Sequence, residues 1–133
     1  MGEVPPGFEP FASSPFVAAI GPVWIRRGEG PPTLGAVVGE QHANTGGTAH
    51  GGFLATLVDL VLAQGVKAVA RPGARLVTAG LTLDFAEPVP LGSWVEARAD
   101  VQRQSRRTVF ANCFLVADGH RAVRGSGIFT VVT

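Results

Sequence analysis

Cysteine is nearly missing from this chain: Cys113 stands alone in 133 residues. No internal disulfide can form, which fits a reducing compartment and gives a cytoplasmic expectation. On an alternating segment, that thiol reads as a small buried hydrophobe. Net charge is also nearly absent, at +1, so composition makes no case for nucleic acid as a partner. No run of about 18 apolar residues is free of charge, so no membrane span is expected. The N-terminus lacks a basic start and an apolar h-region, so no signal peptide is expected either. His42, His50 and His120 have no metal-ligand spacing and Cys113 adds none, so neither a metal nor a cofactor is expected. Internal repeats and low-complexity segments are lacking too.

What is present is a 46% hydrophobic chain with room for one core. Residues 1–16 carry Pro5, Pro6, Phe8, Pro10, Phe11 and Pro15 and read as an irregular arm or short helical turn. Phe16 to Arg27 reads as a first strand, and Leu34 to Gly39 as a second. A helix is predicted from near His50 to Ala70, stopped by Arg71-Pro72-Gly73. Then come alternating segments. In the first, Val77, Ala79, Leu81, Leu83 and Phe85 share one face, and Thr78, Gly80, Thr82 and Asp84 the other. Val95, Ala97, Ala99 and Val101 alternate next, then Thr108 to Ala117. Asp118-Gly119 is a two-residue hairpin turn before a closing strand, Ala122 to Val132. The order implies an α+β fold, one long helix wrapped by a curved antiparallel sheet.

The chain is organised around His42 to Gly65, HANTGGTAHGGFLATLVDLVLAQG. Leu54, Leu57, Val58, Val61, Leu62, Gly65, Val66 and Val69 recur at helical steps. Asp59 falls off the middle of that stripe, on a face with the small residues Gly52, Ala55, Thr56 and Ala63. It is either a partly exposed helix acid or a carboxylate meant for a ligand. Gly51 and Gly52 open the helix, where unpaired N–H groups and the helix dipole can hold an oxyanion. Tight helix–sheet packing is the alternative for the two glycines. Asn44 either adds an amide donor to the same oxygen or serves a turn. Gly51 and Asp59 are eight residues apart, about 12 Å along a helix axis at about 1.5 Å per residue. One carbonyl cannot touch both. If both act on one substrate, they come from different subunits of a two-fold dimer.

Gln41-His42-Ala43-Asn44, Gly47-Thr48-Ala49-His50-Gly51-Gly52 and Leu57-Val58-Asp59 together resemble the signature of hotdog-fold acyl-CoA thioesterases of the PaaI type. The likeness continues through Leu81 to Pro88, Leu91-Gly92 and Arg103 to Thr108, and covers about residues 33–133. It implies a hotdog fold, an N-terminal arm over 1–16 and one thioesterase domain over 17–133. It implies Asp59 as general base or nucleophile, with the Gly51 N–H and Asn44 polarising the thioester carbonyl. Thr78 matches a hydroxyl position that places the lytic water. The resemblance also runs CoA along Gly80, the Phe85-Ala86-Glu87-Pro88-Val89-Pro90 segment and Arg103. Glu87 is an acid that does not itself favour phosphates. Arg106 and Arg107 join Arg103 either at the CoA entrance or on a solvated hairpin end. His50 and Gly52 adjoin the substrate, with a structural role for His50 the stronger expectation.

Three activities are consistent with these residues. The first is a homo-oligomeric acyl-CoA thioesterase, a dimer or a dimer of dimers (homotetramer). A hotdog hydratase or dehydratase is the second; it needs a His paired with an acid, and His50 lies nine residues from Asp59. The third is an acyl-CoA-binding module without turnover.

Overall fold

The computed structural model describes residues 2–132. In chain order the elements are β1 (Glu9–Phe11), α1 (Pro15–Ile20), β2 (Val23–Arg26), β3 (Thr33–Val37), α2 (Gly51–Val69), β4 (Arg75–Phe85), β5 (Trp94–Arg98), β6 (Asp100–Gln104), β7 (Thr108–Ala117) and β8 (His120–Val132). A short 3-10 turn, Glu40–His42, leads toward α2. The strands form one antiparallel sheet in the order β1-β2-β3-β5-β7-β8-β4, with β6 added onto β7. This is the expected α+β hotdog arrangement, a single long helix wrapped by a sheet.

The apolar stripe explains why α2 sits where it does. Leu54, Leu57, Val58, Val61, Leu62 and Val66 are buried against Ala111, Cys113, Leu115 and Phe129 of the sheet. Each such side chain contributes about 1.5–3 kcal/mol on leaving water. The helix lies close because β8 offers no side chain at Gly125, where a methyl would overlap Val58 Cγ1. By length and hydropathy, 1.5 over its best window, α2 is also apolar enough to cross a membrane. In this fold its apolar stripe is instead covered by the sheet.

Three expectations need correction. Phe16 to Arg27 is not one strand. Ser14 caps a helix there by accepting the Val17 N–H at 3.2 Å, and Pro15 takes the first helical position, where its missing N–H costs nothing. Part of the segment expected to be irregular is a strand: Glu9, Pro10 and Phe11 pair with Ile25, Trp24 and Val23. Phe8 meets the Trp94 ring edge-on at 5.0 Å, which buries a residue on the outer side of β5. The third correction concerns β4. Its pairing with β8 shifts register between Thr78 and Gly80, a bulge at Ala79. A bulge reverses the alternation. Thr78 therefore turns toward α2, and strict alternation holds only beyond the bulge.

Elsewhere pattern and structure agree closely. Asp118 and Gly119 both have positive φ, 47° and 88°, as a type I′ hairpin turn requires. At the far side of the sheet β4 is an edge strand. Eight of its eleven residues are exposed.

Candidate active site

The expected residues form three groups. The first is Asp59 with Thr78. Asp59 sits midway along α2, and the Ala79 bulge aims Thr78 at it. Thr78 Oγ1 donates to Asp59 Oδ1 at 2.9 Å. That hydrogen bond holds one carboxylate oxygen and leaves the other available to accept a proton.

The second group surrounds the start of α2. His50 is the N-cap: its Nδ1 accepts the Gly52 N–H at 2.8 Å. An accepting Nδ1 carries no proton, so the cap requires the neutral ring with its hydrogen on Nε2. Gly51, the first helical residue, has no intrahelical acceptor for its own N–H, and that N–H donates to no group among the described residues. Gly51 opens into a cavity of about 350 Å³ that Asn44, Phe85, Glu87 and Val89 also line, with Ala86 and Pro88 between them. Phe85 lies over the helix start, its Cζ 3.5 Å from where a Gly51 side chain would begin.

Asn44 chiefly shapes this loop. Its Oδ1 accepts from the Gly46 and Thr48 N–H groups at 2.9 and 3.0 Å, and its Nδ2 donates to Thr48 Oγ1 at 2.9 Å. These are the contacts of a turn residue. One amide hydrogen is uncommitted among the described residues, and Asn44 lines the same cavity as Gly51.

The third group is basic. Arg106 and Arg107 line a pocket of about 370 Å³ with Arg71, Thr130, Val131 and Val132. Sequence reasoning missed Arg71, because Arg71-Pro72-Gly73 reads simply as a helix stop. The signal available was a basic residue just past a C-terminus.

Gly80 and Arg103 lie apart from these groups. Gly80 opens on the outer sheet face, beside Thr82, Phe110 and Ile128. Arg103 is on β6 opposite Phe110 and is not among the residues lining the Arg106–Arg107 pocket. Pro90 bridges to Thr48. His50 and Gly52 line a shallow groove with Phe16, Ile20, Phe53 and Thr56. His42, which also lines that groove, is buried and stacks on Phe53 at 3.7 Å between ring centres. Burial pushes the Cys113 thiol from 9.0 up to about 12, so it is not the thiolate a nucleophile needs.

An unpaired N–H donor at a helix start, a carboxylate held by a hydroxyl and no reactive thiol suit hydrolysis of an activated acyl group. Comparison with known proteins agrees. The model of the thioesterase superfamily matches residues 46–123, and the chain belongs to that superfamily. Within it the chain is a hotdog-fold thioester hydrolase of the PaaI type. A Pseudomonas aeruginosa protein named "Putative esterase" is 37% identical over 97% of this chain and 98% of its own length. A solved mutant form of the phenylacetic acid degradation protein PaaI from Thermus thermophilus is 29% identical, with a TM-score of 0.80, over 90% of this chain and 100% of that one. Mouse acyl-coenzyme A thioesterase 13 is 33% identical over 56% of this chain, which spans only 53% of the mouse protein.

Proposed function

We propose that the protein hydrolyses acyl-CoA thioesters at sites shared between two copies of the chain. One observation carries this reading: the Asp59–Thr78 pair and the Gly51 donor lie toward opposite ends of the same edge strand. Thr78 and Phe85 are seven residues apart on β4, and Gly51 lies under Phe85. Long exposed edges invite pairing with another strand. Two β4 strands paired antiparallel about a point between Leu81 and Thr82 set Thr78 of one copy opposite Phe85 of the other. Asp59 from one protomer then meets Gly51 and Asn44 from its partner, twice over. In this reading the catalytic unit is a dimer, and a homotetramer is two such dimers.

In this scheme Asp59 takes a proton from water as the water oxygen attacks the thioester carbon. The carbonyl oxygen becomes an oxyanion held by the Gly51 N–H and the free Asn44 amide hydrogen. Collapse breaks the C–S bond, and the proton on Asp59 passes to the departing thiolate. The products are a carboxylic acid and CoA. The alternative step, direct attack by Asp59, is distinguished by one turnover in isotopically labelled water, which then labels the aspartate instead of the product acid.

The supporting comparison is the likeness to acyl-coenzyme A thioesterase 13. A hydratase is disfavoured because His50 Nδ1 is committed to the Gly52 N–H. The test is thiol release from a panel of CoA esters, wild type against Asp59→Asn. A general base contributes about 10²–10⁴-fold, so release should fall by about that factor while binding persists. Binding without release by the wild type makes the protein a sensor, and water addition to an enoyl-CoA makes it a hydratase.

A further inference from the structure

His42 is buried and takes no part in the chemistry above, yet each of its polar atoms is engaged. Its Nδ1 accepts the Gly39 N–H at 3.0 Å. Its Nε2 lies 2.6 Å from the Ile20 carbonyl oxygen, which has no hydrogen to give, so Nε2 is the donor. The ring is therefore neutral, with its one hydrogen on Nε2. No carboxylate pairs with it among the described residues. With both nitrogens committed, the ring has no free position from which to move a proton for a substrate.

Its partners show what it does instead. The ring ties together the end of α1 at Ile20, the turn at Gly39 and the first turn of α2, where it stacks on Phe53 with the planes 11° apart. The backbone adds a fourth tie: the His42 carbonyl accepts the His50 N–H at 2.7 Å. His50 in turn accepts the Gly52 N–H on its Nδ1 and the Phe53 N–H on its carbonyl. Gly51 thus sits between two residues that His42 holds directly, His50 before it by a hydrogen bond and Phe53 beyond it by the ring. Asn44 does not depend on this joint, because Gly46 and Thr48 fix its amide within its own loop. An apolar side chain of similar size could fill the space, but it would leave the Gly39 N–H and the Ile20 carbonyl without these partners, and buried polar groups are rarely left so.

We infer that His42 is a positioning residue for the oxyanion donor: its neutral ring anchors the start of α2 to α1 and to the Gly39 turn, and so aims the Gly51 N–H. This rests on the proposed thioesterase reading. His42 touches no reacting atom and acts through His50 and Phe53. A misplacement of about 1 Å at a catalytic group can cost about 10²-fold, so the joint matters to rate even where the fold survives.

The experiment measures kcat and KM for thiol release from an acyl-CoA with His42→Asn and His42→Gln, each made in wild type and in Gly51→Pro. Asn can keep the bond to Gly39 and Gln the bond to Ile20, and whichever variant folds carries the test. The expected result in the wild-type background is a fall in kcat of at least about tenfold with KM changed by less than about twofold. In Gly51→Pro the N–H is already gone, and the same substitution should lower kcat by less than about twofold. Equal falls in the two backgrounds would show that His42 serves the fold at large and overturn the inference, as would an unchanged kcat or a loss confined to KM. Amide hydrogen exchange separates this inference from the reading beneath it. If wild type releases no thiol from any CoA ester, the thioesterase reading fails and exchange alone decides. His50 and Gly52 amides that exchange at least about tenfold faster in the variant, relative to Val61 and Leu62 in the middle of α2, uphold the positioning role. An equal change along the helix, or none, refutes it.

Discussion

Mixing two inactive variants tests the shared site directly. One parent is Asp59→Asn. The other is Gly51→Pro, chosen because the fold tolerates it. Gly51 is the first helical residue, where proline is favoured and deletes only the N–H. His50 already has the extended backbone that precedes proline, φ −64° and ψ 134°. A Cβ at Gly51 meets Phe85 at an ordinary 3.5 Å. Losing one oxyanion donor costs about 10²–10³-fold in kcat, or about 2.7–4 kcal/mol. Each parent alone should therefore be nearly inactive and fully folded. Co-expressed with two different tags, they assort so that about half the dimers are mixed. A mixed dimer has one site carrying both lesions and one carrying neither. Activity of the mixture should then reach about a quarter of wild type per protomer, and about half in doubly purified mixed dimers. Thiol release from an acyl-CoA is the assay. No rescue in verified mixed dimers would place both groups of a site in one chain and refute the 12 Å argument.

Other consequences can be measured on stability alone. Gly125→Ala should destabilise by about 1–3 kcal/mol through overpacking against Val58; Val58→Ala in the same chain should lessen that cost, as read by denaturant midpoints. His50→Ala removes the α2 cap and should cost about 1 kcal/mol by the same measurement. The Cys113 thiol is raised by burial, so the folded state favours its neutral form. Its contribution is fully present below pH 9.0 and is lost as pH rises toward about 12. Cys113→Ala should flatten that alkaline part of the stability profile, and native Cys113 should resist thiol reagents near neutral pH.

Much of this fold could be read from period and punctuation. The stripe from Leu54 to Val69 located α2 to within a residue at each end, because a buried helix must show its core face in its sequence. Asp118-Gly119 located its hairpin because few residues accept positive φ twice. Short elements were less legible. β1 has three residues and α1 six, too few for a period to emerge, and the capping Ser14-Pro15 pair was the only local cue. The face of Thr78 was hidden for another reason. A bulge is fixed by pairing with β8, a strand distant in sequence. Arg71 was missed likewise, since its neighbours Arg106 and Arg107 are brought to it by the whole sheet.

The extra residue at Ala79 has a consequence for how this protein can vary. It works as a parity switch in a ribbon: side chains before it are counted from one start, those after it from the other. Swapping Ala79 for another small residue leaves the count intact. Deleting it would send Thr78 to the solvent side or carry Leu81, Leu83 and Phe85 there instead. Along β4, spacing is thus a stricter constraint than identity, and the hydroxyl beside Asp59 is kept in place by arithmetic as much as by chemistry.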